Sequence, residues 1–398
     1  MRSFVLWYIP RKEENDNSKI KLHINLWKVK KCFSKEKFIF DFGFFIDDIT
    51  KIKEIYFYVP FKIEEFKDLG AKVLNNHKLV GAIFNEVCDI ESVRAGKRIK
   101  VKMGKDKNVQ FMFYSLGEDQ VIREECHDNH GGYIVIFKLE NILNNNEKNL
   151  NEENISEIKN YYFRFRLKTD KKNLKFIKNQ DFDQSIFSNA FTRTEIIDFR
   201  INDIRTCSEV IKEKFRNNLR FYIEKINYLL LRNFNDEFIY YDGNVKSRIL
   251  ENDLWDDYIE EVHEDLIAYH IKESVNKGEN KKIDSEKIDE GIGSFVNLTR
   301  FKYKNSNYLM ILTYFLILII SGILTGLTAS IILEHVENYK NFKQVIFISI
   351  FSYPVIVYLI LKSFELFFKK IKDLKNYIIK RLRNYIIKKL KNIYKIIK

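Results

Sequence analysis

Residues 19–29 read KIKLHINLWKV, and the alternation in this stretch sets the fold of the region around it. Ile20, Leu22, Ile24 and Leu26 fall on one side, and Lys21, His23 and Asn25 on the other. Successive side chains of a strand point to opposite faces, so the pattern is that of a strand with one apolar face. Similar runs occur at Phe4–Ile9, Phe38–Phe45, Ile52–Val59, Leu79–Val87, Arg98–Met103, Val109–Tyr114, Tyr133–Leu139, Tyr161–Leu167 and Glu195–Ile201. Many strands with one apolar face and no interleaved helical pattern predict an antiparallel sandwich or barrel, not βαβ units. The apolar start, Met1 to Pro10, lacks a long hydrophobic core and a small-residue cleavage site, so it reads as the first strand and not as a signal peptide.

Outward from this region the chain changes character. Asn144 to Glu157 is an Asn/Glu-rich insertion expected to form a surface loop, and Asp242-Gly243 suggests a hairpin turn. Trp255, Ile259, Val262 and Leu266 share one side of a predicted amphipathic helix. From Glu251 to Glu290 there are fourteen acidic and five basic residues. This acidic stretch is expected to form a helical connector over 251–304.

Asn305 to Leu333 then carries no charged side chain, and Gln344 to Leu361 is a second uncharged run. Both are long enough to span a bilayer as helices. Arg300, Lys302 and Lys304 precede the first run, whereas the loop between has only Lys340 and Lys343. By the positive-inside rule both flanks face the cytoplasm. Gly322, Gly326 and Ser330 form a small-residue row of the kind that lets helices associate closely. Pro354 frees a backbone carbonyl in the second run and marks a kink or hinge.

The net charge of +13 is concentrated at the end of the chain, where residues 369–398 hold twelve Lys or Arg and one acid, Asp373. Ile371, Leu374, Ile378, Leu382, Ile386, Leu390, Ile393 and Ile397 recur at steps of three or four, a continuous helical stripe. A basic amphipathic helix after a span reads as interfacial, with Lys369, Lys370, Lys372, Lys375, Lys380, Arg381, Arg383, Lys388, Lys389 and Lys391 facing anionic lipid. Setting topology alone needs fewer charges. Nucleic acid is the less favoured partner of the same charge. The tail can also pair with the acidic stretch upstream, which would hold it off the membrane.

Signals for chemistry are sparse. Cys32, Cys88, Cys126 and Cys207 have no paired spacing, so a disulfide framework is not expected and a reducing compartment fits. Cys126, His127 and His130 have ligand-like spacing, but in a Gly-bearing loop without a partner motif they read as a polar turn. His263 and His270, seven apart, read as surface or core histidines. P-loop, GxGxxG, GxSxG and HExxH patterns are missing from the sequence. A non-enzymatic protein without metal or cofactor is therefore expected.

The expected architecture is an α+β membrane protein. A mainly antiparallel, sandwich-like β domain covers residues 1–250, an acidic helical connector 251–304, a two-span hairpin 305–368 and a basic amphipathic tail 369–398. With Asn305–Leu333 and Gln344–Leu361 as spans and the rest cytosolic, this arrangement resembles the two-transmembrane effectors of bacterial antiphage defence systems. The resemblance implies an inner-membrane homo-oligomer whose cytosolic domain senses a ligand or partner and whose spans disrupt the membrane. A membrane-anchored binding or scaffold protein is the alternative.

Overall fold

The computed structural model describes residues 2–12, 17–29, 37–92, 97–104, 108–126, 131–139, 142, 158–180, 192–241, 243–255, 258–259, 265–275, 291–304, 308–336 and 362. They fall into two compact units, 1–305 and 306–398.

The first unit is built on the alternation seen in the sequence. One layer is a ten-stranded sheet among the described residues. Its main order is β16 (Val245–Ile249), β17 (Leu266–Ser274), β14 (Tyr222–Asn233), β2 (Lys19–Val29), β3 (Lys37–Ile46), β11 (Tyr161–Asp170), β8 (Val109–Tyr114), β7 (Arg98–Met103) and β6 (Cys88–Ser92). Strand β5 (Glu65–Asp68) also pairs with β11. Within this sheet β14 runs parallel to β2 and β11 parallel to β8, while the other pairings are antiparallel.

Two four-stranded sheets supply the opposing layer. One has the order β1 (Val5–Pro10), β4 (Ile52–Val59), β10 (Gly132–Lys138), β9 (Val121–Cys126). The other has the order β12 (Ile177–Gln180), β13 (Thr192–Ile201), β18 (Phe295–Lys304), β15 (Glu237–Tyr241). Phe4 stitches the two together, its N–H donating to the Arg200 carbonyl at 2.9 Å and its carbonyl accepting from Asn202 N–H at 2.7 Å.

Between the layers lies an aromatic core. Phe4 lies within 6 Å, centroid to centroid, of Phe40, Phe42, Phe57, Phe61, Phe176 and Phe199. Phe137 and Phe165 are 4.9 Å apart across the interface. The inward residues of β2, namely Ile20, Leu22, Ile24 and Leu26, are all buried here. The outer face of the large sheet is covered in part by α1 (Gly70–Asn75) and α2 (Lys78–Phe84), through Val73, Leu79 and Val80.

Three expectations are corrected. Leu79–Val87 is not a strand: Leu79, Val80 and Ile83 have helical spacing, and Asn85, left-handed at φ 54°, closes α2. The connector expected over 251–304 is not a helix throughout. Among the described residues its helix is α4 (Asn252–Trp255), α3 being Glu209–Asn217, and Leu266 opens β17 instead of lying on a helical face. Strand β17 is buried on both sides, Leu266 and Ala268 on one and Tyr269 and Ile271 on the other, so its apolar run lacks the alternation that marks a half-exposed strand. The residues flanking Gly243 do not form a hairpin, because β15 pairs with β18 and β16 with β17. Asn144 to Glu157 and Val262 lie outside the described residues.

In the second unit, α5 (Tyr308–Val336) is a continuous helix of 29 residues, about 43 Å long at 1.5 Å per residue. Among the described residues, no helix is long and apolar enough to cross a membrane. The sequence of α5 carries no charge before Glu334. Leu318 and Ile320, two residues apart and so on nearly opposite sides, are both exposed, at 62% and 36%. The second uncharged run, Pro354 and the basic tail lie outside the described residues.

Truncating Phe4 to Ala should remove about 3–5 kcal/mol of stability from the β unit. Trp7, Trp27 and Trp255 are all buried in this unit, so denaturant unfolding followed by tryptophan emission reads the loss directly.

Candidate functional site

Charged and polar side chains gather on the outer face of the large sheet, where its central strands run under α4 and Tyr258. The register sets them in rows. Asn25 of β2 lies opposite Asp41 of β3, which lies opposite Arg166 of β11. One step along, His23, Gly43 and Arg164 are aligned in the same way.

Arg166 grips Asp41 with two parallel bonds, Nε to Oδ1 at 2.6 Å and Nη2 to Oδ2 at 3.0 Å. The same carboxylate accepts from Trp27 Nε1 at 2.8 Å. Arg166 Nη1 reaches the Tyr258 carbonyl at 3.2 Å. Arg164 is 1% exposed and makes no ion pair among the described residues, so neutral oxygens must satisfy it. Its Nε donates to the Tyr258 hydroxyl at 2.5 Å and its Nη1 to the Tyr162 hydroxyl at 2.9 Å. With its amide oriented to satisfy both ends, Asn25 accepts from Arg164 Nη2 at 2.8 Å. Gly43 makes this possible, since a Cβ there would collide with the Tyr162 hydroxyl.

Two guanidiniums thus lie near one carboxylate in a buried setting, and only Arg166 bonds to it. Burial alone would lower the arginine pKa values, but Tyr162, Tyr258 and Asp41 around Arg164, and Asp41 beside Arg166, raise both. Burial pushes the Tyr162 and Tyr258 hydroxyls up. Burial first, and the Arg164 charge second, push His23 down to about 3. His23 Nδ1 is buried without a hydrogen-bond partner. The two arginines, the two tyrosines and His23 therefore keep one protonation state at ordinary pH. The cluster's chemistry is that of a fixed frame of donors that ties Tyr258 to the sheet.

A second buried charge lies at one end of the sandwich. Glu195 accepts from Arg232 Nη1 at 2.6 Å, Lys171 Nζ at 2.8 Å and Lys28 Nζ at 3.2 Å. Burial pushes its carboxyl up, but Arg232, Lys28 and Lys171 together hold it well below the usual carboxylate range. Lys28 also lies over the Tyr303 ring, 3.7 Å from its centroid. Lys28 comes from the large sheet and Glu195 from the opposing layer, so this pair pins the two layers together.

Among the residues expected to have a role, Gly322, Gly326 and Ser330 follow one line along α5, with open space where a Cβ on either glycine would project. Pro354 and the tail from Lys369 to Lys391 lie outside the described residues, as do His127, His130 and His263. Cys126 is buried at the end of β9, and His270 sits in β17 with Nε2 3.4 Å from Asn227 Oδ1. Among the described residues, no group of three His, Cys, Asp or Glu is placed to hold a metal ion. The sequence reading missed Asp41, Arg164, Arg166, Glu195 and Tyr258. A signal was present in the strand YYFRFRLKTD, where two arginines interrupt an aromatic run at alternate positions. No protein-family model matches the sequence, and no curated protein is similar to it.

Replacing Tyr258 by Phe keeps the ring but leaves a buried guanidinium N–H without its acceptor. The expected loss is about 1–3 kcal/mol of stability, read as a lower denaturant midpoint with an unchanged slope. A second expectation concerns pH. His23 has a lower pKa folded than its ordinary 6.5, so the unfolded chain binds the proton first as pH falls. The stability this group contributes is full above 6.5 and is lost progressively toward about 3. Unfolding midpoints measured from pH 7.5 to 4.5 should therefore fall in the wild type and fall less steeply in His23→Gln.

Proposed function

We propose that the chain is a non-enzymatic, membrane-anchored sensor-effector. Its β-rich unit recognises a ligand or partner in the cytosol, and its apolar helical region sits in the inner membrane and perturbs it on association. The observation that carries this reading is α5, a 29-residue helix with no charge before Glu334 and with apolar side chains exposed on opposing sides. A helix that is apolar all round needs either a protein core or lipid around it. Its hydroxyls fit the lipid setting. Ser321 donates to the Leu318 carbonyl at 2.9 Å, Thr328 to Thr325 at 2.9 Å and Ser330 to Leu327 at 2.9 Å, so each is satisfied within the helix.

In this reading, the second uncharged run, 344–361, completes a two-span hairpin, and both flanks face the cytoplasm. The tail lies on the anionic leaflet, with nucleic acid not its partner. The Gly322–Gly326–Ser330 line is the surface on which copies of the chain associate. The second reading, an anchored scaffold without membrane-disrupting activity, draws on the buried Arg164–Arg166–Asp41 cluster, whose hydrogen-bonded frame suits a rigid docking platform.

Induced expression in bacteria while membrane potential is followed separates the two. The effector reading expects depolarisation, and expects Gly322→Leu with Gly326→Leu to abolish it while the protein stays in the membrane fraction. An intact potential on induction of the wild type would favour the scaffold.

A further inference from the structure

One part of the large sheet's outer face carries cations that make no ion pair among the described residues. On β16, Lys246 lies opposite His270 of β17, and Arg248 lies two residues further along the same side. Lys272 of β17 lies opposite Asn227 of β14, and Ser274 lies opposite Lys225. Asn227 neighbours His23 of β2, and Lys225 neighbours Lys21. Residues aligned across neighbouring strands share a face, so these side chains form one surface. From strand spacing and rise, Lys225 and Lys272, and Lys272 and Lys246, are about 8 Å apart in their backbone positions.

The relief is graded. Lys246, Arg248 and Lys272 are exposed, while Lys225, Asn227 and His270 are half-buried between them and the end of α2. Lys225, Lys246 and Lys272 make no ion pair among the described residues, and Arg248 donates to the neutral amide of Asn85 at 2.9 Å. Lys21, at the border, is different: Glu224 at 3.2 Å and Asp47 at 3.7 Å neutralise it. Glu86 is the carboxylate that acts on Lys225, and it does not offset the rest. Burial, then Lys272 and Lys21, push Lys225 down. Burial, then Lys225, Arg248, Lys272 and Lys246, push His270 down. Both shifts have the sign expected of a surface with an unbalanced positive potential.

We propose that this face is the recognition surface of the β-rich unit and binds a small oligophosphate ligand. Its phosphates lie over Lys225, Lys246, Lys272 and Arg248, and its neutral part hydrogen-bonds to Asn227 and His270. This deepens the sensor-effector reading and rests on it for physiological meaning. Charge complementarity gives the phosphates, since separate cations spaced across three strands match several negative groups better than one carboxylate. The recessed amide and imidazole argue for a discrete ligand over a flat lipid surface, whose headgroups would meet the protruding rim first. A nucleic-acid strand is less well served, because the described residues of these strands on this face include no exposed aromatic side chain on which bases could stack.

The test uses the full-length protein in a non-ionic detergent, with inorganic triphosphate and ATP as probes in titration calorimetry. Saturable binding of both is expected. Lys225→Ala with Lys272→Ala should weaken both at least tenfold, Asn227→Ala should weaken ATP more than triphosphate, and Lys172→Ala, distant on the surface, should change neither. Unaltered tryptophan emission confirms that the variants fold. No saturable binding of either probe, or equal affinity in the double variant, would overturn the proposal. So would a double variant that loses recruitment to single-stranded RNA or to phosphatidylserine vesicles while phosphate binding is untouched. Phosphate binding without depolarisation would defeat the effector reading alone, and depolarisation without phosphate binding would defeat this proposal alone.

Discussion

Phe42 packs on Phe57 at 4.7 Å and on Phe4 at 5.2 Å, and contacts of this kind hold the two layers of the β unit together. Each ring buries a large apolar area and adds the edge and offset geometries that aromatic pairs favour. The opposing layer is split into two sheets, and Phe4 is where they join, through backbone bonds to Arg200 and Asn202. The same residue therefore closes the layer and fills the interface. The outer face of the large sheet depends on that support, because the strands carrying it are backed by this core.

What the outer face displays differs along the sheet. At its centre, buried arginines are matched by Asp41, tyrosine hydroxyls and an amide, and Tyr258 seals them. Buried ion pairs of this kind add little net stability over an apolar core, yet removing one partner is costly, so they fix which arrangement is adopted. Toward β16 the cover ends, and among the described residues the cations there make no ion pair. One sheet thus presents a sealed, neutralised region beside an open, positive one. The first gives rigidity and the second gives a surface available to a ligand.

Much of this was legible in the sequence where a strand has one wet face. The alternation of Ile20, Leu22, Ile24 and Leu26 is directly the inward row of β2, and Arg98–Met103 and Val109–Tyr114 are strands at the expected residues. It was illegible where both faces are covered. Leu266–Ile271 is apolar on both sides and so has no period of two, and its neighbourhood was assigned to a helix. Leu79–Val87 failed for the opposite reason, since a short helix lying on a sheet needs only Leu79 and Val80 buried. The site was harder still. Asp41, Arg166 and Tyr258 are brought together from positions up to 217 residues apart in the chain, and only pairing register reveals them. That Gly322, Gly326 and Ser330 share one line of α5 is readable from spacing alone, because helical spacing is local.

The membrane reading turns on what surrounds α5. Leu316, Ile320, Ile323 and Leu327 are exposed at 48%, 36%, 59% and 55% and span one side of the helix, with Leu318, at 62%, on the other. Lipid would cover all of them equally, whereas a protein groove would cover one side. The most direct measurement places single cysteines at these five positions and labels them in intact membranes with a water-soluble maleimide, above the background of the native cysteines. The account predicts that all five are protected in membranes and become reactive only when the bilayer is dissolved. Labelling of Leu318→Cys in intact membranes while the other four stay protected would contradict it, because that pattern belongs to a helix docked on protein.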